Sequence, residues 1–90
     1  MDYKEDKDQI FIQDGEKILA KLQFACDDDV YKINKIFVDE SFRGQGIAGK
    51  LMENFVKKAL KENKNIKPIC GFAIKWFERH KEYDDFLVWI

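Results

Sequence analysis

Apolar and polar residues alternate along the first half of the chain, and the period then changes. Gln9-Ile10-Phe11-Ile12-Gln13 reads as a strand, and the Asp14-Gly15 pair that follows is a strong short hairpin signal. The returning strand runs from Lys17 to Phe24, with Ile18, Ala20, Leu22 and Phe24 sharing one face. Asp27-Asp28-Asp29 makes a second polar turn into a third strand, Val30 to Val38. Simple alternation there puts Tyr31, Ile33, Lys35 and Phe37 on one face, and Val30, Lys32, Asn34, Ile36 and Val38 on the other. Three consecutive strands joined by tight turns predict an antiparallel meander. Residues 1–8, rich in charge, read as a flexible, solvated lead.

From Ile47 the period becomes helical. Ile47, Ala48, Leu51, Met52, Phe55, Val56, Ala59 and Leu60 form one broad apolar stripe, and Glu53, Asn54, Lys57, Lys58, Lys61 and Glu62 lie opposite. Ile66 to Phe72 predicts a strand returning parallel to the third strand after a helical crossover. Ala73 to His80 predicts a second helix, Glu82–Asp85 a link, and Phe86 to Ile90 a short last strand. The order βββ-α-β-α-β describes an α+β fold in a single domain over residues 1–90, without internal repeats.

Composition narrows the functional classes. The chain is 46% hydrophobic and contains eight Phe, enough for a packed core without staples. A net charge of -1 argues against bulk nucleic-acid binding, which needs a basic face. Cys26 and Cys70 lie far apart, and a single His leaves no metal-ligand spacing. The charged amino terminus is unlike a signal peptide, and no apolar run approaches the roughly 20 residues that span a bilayer. A cytoplasmic setting with free thiols is the expectation.

The chemistry concentrates between the third strand and the first helix. Glycines fall where the helix starts, so its first N–H groups and the positive end of its dipole face a loop suited to phosphate or pyrophosphate. Arg43 and Lys50 add positive charge at the two ends of that loop. Three phosphate-binding patterns overlap here. Gly44 to Gly49 spells G-x-G-x-x-G, but a dinucleotide site needs an acidic residue where the next strand ends, and Cys70-Gly71-Phe72 stands there. Gly44 to Lys50 spells G-x-x-x-x-G-K, but Leu51 occupies the position of the magnesium-binding hydroxyl. A ligand-free, glycine-rich helix start competes with all three, and the stability that three glycines cost weighs against it.

The third pattern carries a family resemblance. Arg43-Gly44-Gln45-Gly46-Ile47-Ala48 resembles the acyl-CoA-binding motif Q/R-x-x-G-x-G/A of the Gcn5-related N-acetyltransferase superfamily. Val38-Asp39-Glu40-Ser41-Phe42 is similar to its V-x-P-x-Y/F lead-in, with Glu40 in place of Pro. Pro68, Cys70, His80 and Tyr83-Asp84 resemble a compact branch of about this length. The resemblance implies a minimal fold of that type, with splayed central strands.

It also implies a pyrophosphate of coenzyme A held by the N–H groups of Gln45, Gly46, Ile47, Ala48 and Gly49, with Arg43 and Lys50 close by. The pantetheine arm would run beside Ile36, Phe37 and Val38, and an N–H around Phe37 or Val38 would polarise the thioester carbonyl. Many relatives carry a Tyr acid on the second helix, where Phe77 stands here. Cys70, weighed against a buried structural role, and His80, weighed against a helix-end role, are the candidate catalytic groups. Tyr31 and Tyr83 are reserve acids. Lys75 and Arg79 divide between the 3′-phosphate and solvent, and Trp76, Trp89 and Phe86 between core and adenine shelf.

The function so implied is transfer of acetyl from acetyl-CoA to an unidentified amine, on a small molecule or a protein, through an open acceptor side. The alternative is a non-catalytic CoA-binding or partner-binding module of the same fold. Neither metal nor nucleic acid nor membrane is expected as a partner, and the chain is expected to be a monomer or weak dimer.

Overall fold

The alternation over residues 9–38 builds most of one sheet. A computed structural model describes residues 3–89. Strands β1 (Lys4–Asp6), β2 (Gln9–Asp14), β3 (Lys17–Asp27) and β4 (Val30–Val38) pair antiparallel in chain order. Helix α1 (Ile47–Lys61) then crosses to β5 (Asn65–Pro68), which lies parallel to β4. Helix α2 (Gly71–Glu78) follows, and a 3₁₀ helix over Lys81–Phe86 packs back on it. The sheet order is β1-β2-β3-β4-β5. This is a mixed α+β architecture with the expected meander, crossover helix and parallel strand. No helix among the described residues is long and apolar enough to cross a membrane.

Two β-bulges correct the simple alternation. Ile12 faces Ala20 while Gln13 faces Ile18, so Leu19 is an extra residue in β3. Leu19, rather than Ile18, therefore packs against the core. Likewise Gln23 faces Lys35 while Phe24 faces Ile33, which leaves Asn34 as an extra residue in β4. Because side chains alternate with period two, one inserted residue swaps the faces beyond it. Tyr31 and Ile33 before the bulge and Ile36 and Val38 after it all meet the core, whereas Lys35 and Phe37 turn away.

The stripe on α1 buries Ile47, Leu51, Met52, Phe55, Val56 and Ala59 against the strands. Each large apolar side chain so buried contributes about 1.5–3 kcal/mol. Phe24, Tyr31 and Phe55 form an aromatic triangle with centroids 5.1–5.4 Å apart. The Tyr31 hydroxyl donates to Glu62 Oε1 at 2.5 Å, and Lys58 Nζ reaches Glu62 at 2.7 Å and Glu5 at 3.2 Å.

At the chain ends the structure departs further from the pattern. Part of the expected lead forms β1, an exposed edge strand, because Glu5 reaches Lys58 of α1 and Tyr3 packs against the core; residues 1–2 lie outside the described residues. Strand β5 ends at Pro68 and α2 begins at Gly71, two residues earlier than the periodicity suggested. In place of a last strand, Lys81–Phe86 coils and Leu87 makes one isolated parallel bridge to Ile66, with the Val88 N–H donating to Ile66 O at 2.8 Å. Tyr83 packs over Trp76 and Phe77, which holds the segment against α2 instead of extending it along β5. Ile90 lies outside the described residues.

Candidate functional site

The site begins with a gap in the sheet. β5 pairs with β4 only from Val30 to Ile33. Ile33 O then accepts from both Ile69 N and Cys70 N, at 3.0 and 3.2 Å, where the chain turns away into α2. The Asn34 bulge bends β4 at the same level. Beyond it, β4 keeps β3 on one side and, among the described residues, has no strand on the other. The Asp39 N–H donates to Leu19 O at 2.8 Å, and the alternation of an antiparallel ladder sets the rest. The N–H and C=O of Lys35 and Phe37 face β3, while those of Ile36 and Val38 face the open edge. Of the two expected donors, Phe37 and Val38, Phe37 is thus turned away by parity and Val38 faces the gap.

The chain leaves β4 through a capped turn. Asp39 Oδ2 accepts from Ser41 Oγ at 2.5 Å and Ser41 N at 3.1 Å, and Lys17 lies 3.5 Å away. The Ser41 hydroxyl, then its amide, then Lys17 hold the Asp39 carboxyl below its ordinary value. A 3₁₀ turn over Glu40–Phe42 follows. Gly44 (φ +84°) and Gly46 (φ +72°) then take left-handed conformations that favour glycine.

Gly46 is also the N-cap of α1, and it has no side chain to cover the helix end. Among the described residues, the N–H groups of Gly44 through Gly49 donate to no protein acceptor, and the first helical bond runs from Lys50 N to Gly46 O at 3.2 Å. Bare donors and the helix dipole together favour an anion there.

These donors open into a cavity of about 340 Å³. Val38, Phe42, Arg43 and the loop form one wall, and Phe72, Trp76 and Arg79 form the other. The latter three stand at i, i+4 and i+7 of the second helical segment, a spacing visible in the sequence that points one stripe at the loop. Arg43 Nε donates to Val38 O at 3.1 Å, which leaves its terminal nitrogens for a ligand. Neither Arg43 nor Arg79 pairs with a carboxylate among the described residues. Trp76 is 4% exposed and stacks on His80, with centroids 3.8 Å apart.

Of the residues expected at the site, Val38, Arg43, Gly44, Gly46, Ile47, Ala48 and Gly49 meet on the cavity wall. Gln45 and Lys50 are exposed beside it, and Ile36 lies on the open strand edge behind it. Cys70 is half-buried outside the lining, and its Sγ accepts from Ala73 N at 3.4 Å as the N-cap of α2. His80 Nδ1 lies 2.7 Å from Trp76 O, also outside the lining. Phe77 is buried in the core, and Tyr31 is bonded to Glu62 where α1 ends. Trp76, expected in the core or as an adenine shelf, and Arg79, expected at the 3′-phosphate or in solvent, both stand on the wall, whereas Phe42 and Phe72 carry no sequence signal that sets a cavity wall apart from core. Among the described residues, no group of three or more His, Cys, Asp or Glu could hold a metal ion.

The sequence model of GCN5-related N-acetyl-transferases matches residues 2–86. The chain belongs to this family. Among solved structures, it is similar to a GCN5-like protein of Staphylococcus aureus, with TM-score 0.83 and 26% identity over 99% of this chain and 89% of that one. This GCN5-related fold is also similar to the ribosomal-protein-S18-alanine N-acetyltransferase of Escherichia coli, with TM-score 0.66 and 17% identity over 84% of this chain and 53% of the other. A third neighbour, Rv2747 of Mycobacterium tuberculosis, was solved in complex with CoA, with TM-score 0.64 and 16% identity over 82% and 47% of the two chains. No curated protein sequence matches the chain.

Proposed function

We propose that this protein binds acetyl-CoA and transfers the acetyl group to an amine that approaches from an open acceptor side. The observation that carries the reading is the run of six backbone N–H groups, Gly44 to Gly49, without protein acceptors at the mouth of a cavity that also holds Arg43 and Arg79. A diphosphate fits that donor set. The open edge at Ile36 and Val38 suits an arm containing amides, which would pair there as an added strand. A thioester seated at the end of that arm would have its carbonyl polarised by the Val38 N–H.

In the reaction a neutral amine nitrogen bonds to the carbonyl carbon, the C–S bond breaks, and the excess amine proton ends on the CoA sulfur. The residues on the cavity wall contribute binding, orientation and stabilisation of charge. The CoA complex of Rv2747 lends support from a protein of the same fold.

A second reading, binding without turnover, has its own support. Among the described residues, no Cys, His, Tyr or carboxylate side chain lines the cavity, and the Cys70 sulfur is engaged as a helix cap. Titration with CoA, followed by amide NMR, tests what both readings share: signals from Gly44 to Lys50, Ile36 and Val38 should move. No response at millimolar CoA would end both. Thiol release across a panel of amines then separates them, and mass analysis of Cys70 after acetyl-CoA exposure reports whether the sulfur carries the acetyl group. Turnover retained in Cys70→Ala would exclude the cysteine as an obligatory nucleophile.

A further inference from the structure

One donor at the cavity belongs to a side chain. Trp76 lines the wall opposite the loop and is 4% exposed, yet its indole N–H has no acceptor among the described residues. Among those residues, no fully enclosed side-chain nitrogen or oxygen lacks a partner. Nε1 therefore keeps an opening to accessible space. A Cβ placed on Gly49 would stand 3.8 Å from Nε1, which puts the indole nitrogen within van der Waals reach of that residue. The indole nitrogen thus lies beside the first turn of α1, and Trp76 lines the same cavity as Ile47, Ala48 and Gly49, whose N–H groups are bare.

We infer that Trp76 is a binding residue for the diphosphate, its indole N–H sharing the anion with the first turn of α1. The inference rests on the CoA-binding reading above and adds to it a donor from the second helix. Several contacts hold the ring in that orientation. His80 stacks on it at 3.8 Å and 13°, and His80 Nδ1 lies 2.7 Å from Trp76 O, so the imidazole is tied to the same residue at two points. Tyr83 stacks at 5.9 Å, and Phe77 meets the ring edge-on at 5.1 Å. A donor held this way loses little conformational freedom when an anion arrives. Indole donates and never accepts, so the group suits an anion and disfavours a cation. His80, a candidate base from the sequence, becomes a positioning residue for Trp76.

The test uses the Trp89→Phe protein labelled with ¹⁵N, which leaves Trp76 as its single indole; Trp89 is exposed and lies outside the cavity lining. Inorganic pyrophosphate, CoA and pantetheine are the probes. The indole N–H proton should move downfield with pyrophosphate and with CoA, saturating together with the amides of Gly46 to Gly49, and stay in place with pantetheine. Trp76→Phe, which keeps an aromatic ring and removes the donor, should bind CoA about ten-fold more weakly and pantetheine unchanged. An indole signal that stays put while those amides shift overturns the inference and leaves CoA binding intact. So does a Trp76→Phe protein that loses CoA and pantetheine equally, since that marks a packing role. Silence of the amides and the indole together overturns the site and the inference with it.

Discussion

Gly46 does two things that one side chain would prevent. Its φ of +72° lets the chain turn into α1, and its lack of a side chain leaves the first N–H groups uncapped. Beyond its chain neighbours, no heavy atom among the described residues lies within 4 Å of a Cβ placed there, so the cost of substitution is conformational rather than steric. Gly46→Ala should lower stability by about 1–2 kcal/mol, read from a urea melt, and weaken CoA binding as the loop relaxes. Gly46→Asn should cost less, because Asn tolerates the left-handed region, yet its amide can cover the helix end. Stability recovered without recovered CoA affinity would separate the two roles of the residue.

At the scale of elements, the bulge in β4 governs the site. Asn34 sends Ile36 and Val38 to the core, bends the strand, and accompanies the loss of pairing with β5 after Ile33. Deleting Asn34 would remove the extra residue and straighten β4 while leaving Ile36 and Val38 on the core face, since their partners in β3 stay the same. The expected outcome is weaker CoA binding, because the straightened strand loses the bend that opens its edge, with a loss of about 0.5–3 kcal/mol in denaturant unfolding. A deletion variant that binds CoA like the parent would show that the bulge is not what opens the edge. The β5–α2 junction complements the bulge, since Ile33 O takes two N–H donors where the strands part.

Over the whole molecule, acid should act at opposite ends of the structure. Lys58 first and the Tyr31 hydroxyl second hold the Glu62 carboxyl below its ordinary value of 4.5, and the Ser41 bonds hold Asp39 below 3.8. Both are depressed in the folded chain, so their stabilisation is complete above those ordinary values. It is lost as pH falls through the folded ones. Denaturation midpoints should therefore drop progressively from about pH 5 downward. Tyr31→Phe removes one of the bonds that hold Glu62 down. It should cost about 1 kcal/mol at neutral pH and make the acid decline shallower, measured by the same melts. An unchanged acid limb in that variant would mean the Tyr31–Glu62 bond does not bear on folding.

The sequence by itself determined the order of the main elements and the character of the loop. Those depend on short-range physics: side-chain period, turn chemistry, and glycines where a helix starts. Hence the meander, α1, the parallel return and the bare N–H groups were legible along the chain. Tertiary structure alone decided where the period slips, at Leu19 and Asn34, because a bulge is a property of two strands and neither shows it alone. It also decided that Glu5 would find Lys58 and turn a charged lead into β1, and that Tyr83 would hold the last segment on α2. The cavity belongs to this second group. Phe72, Trp76 and Arg79 face the glycine loop only because the fold sets α2 across one cavity from the start of α1, and proximity between residues distant in sequence leaves no periodic trace.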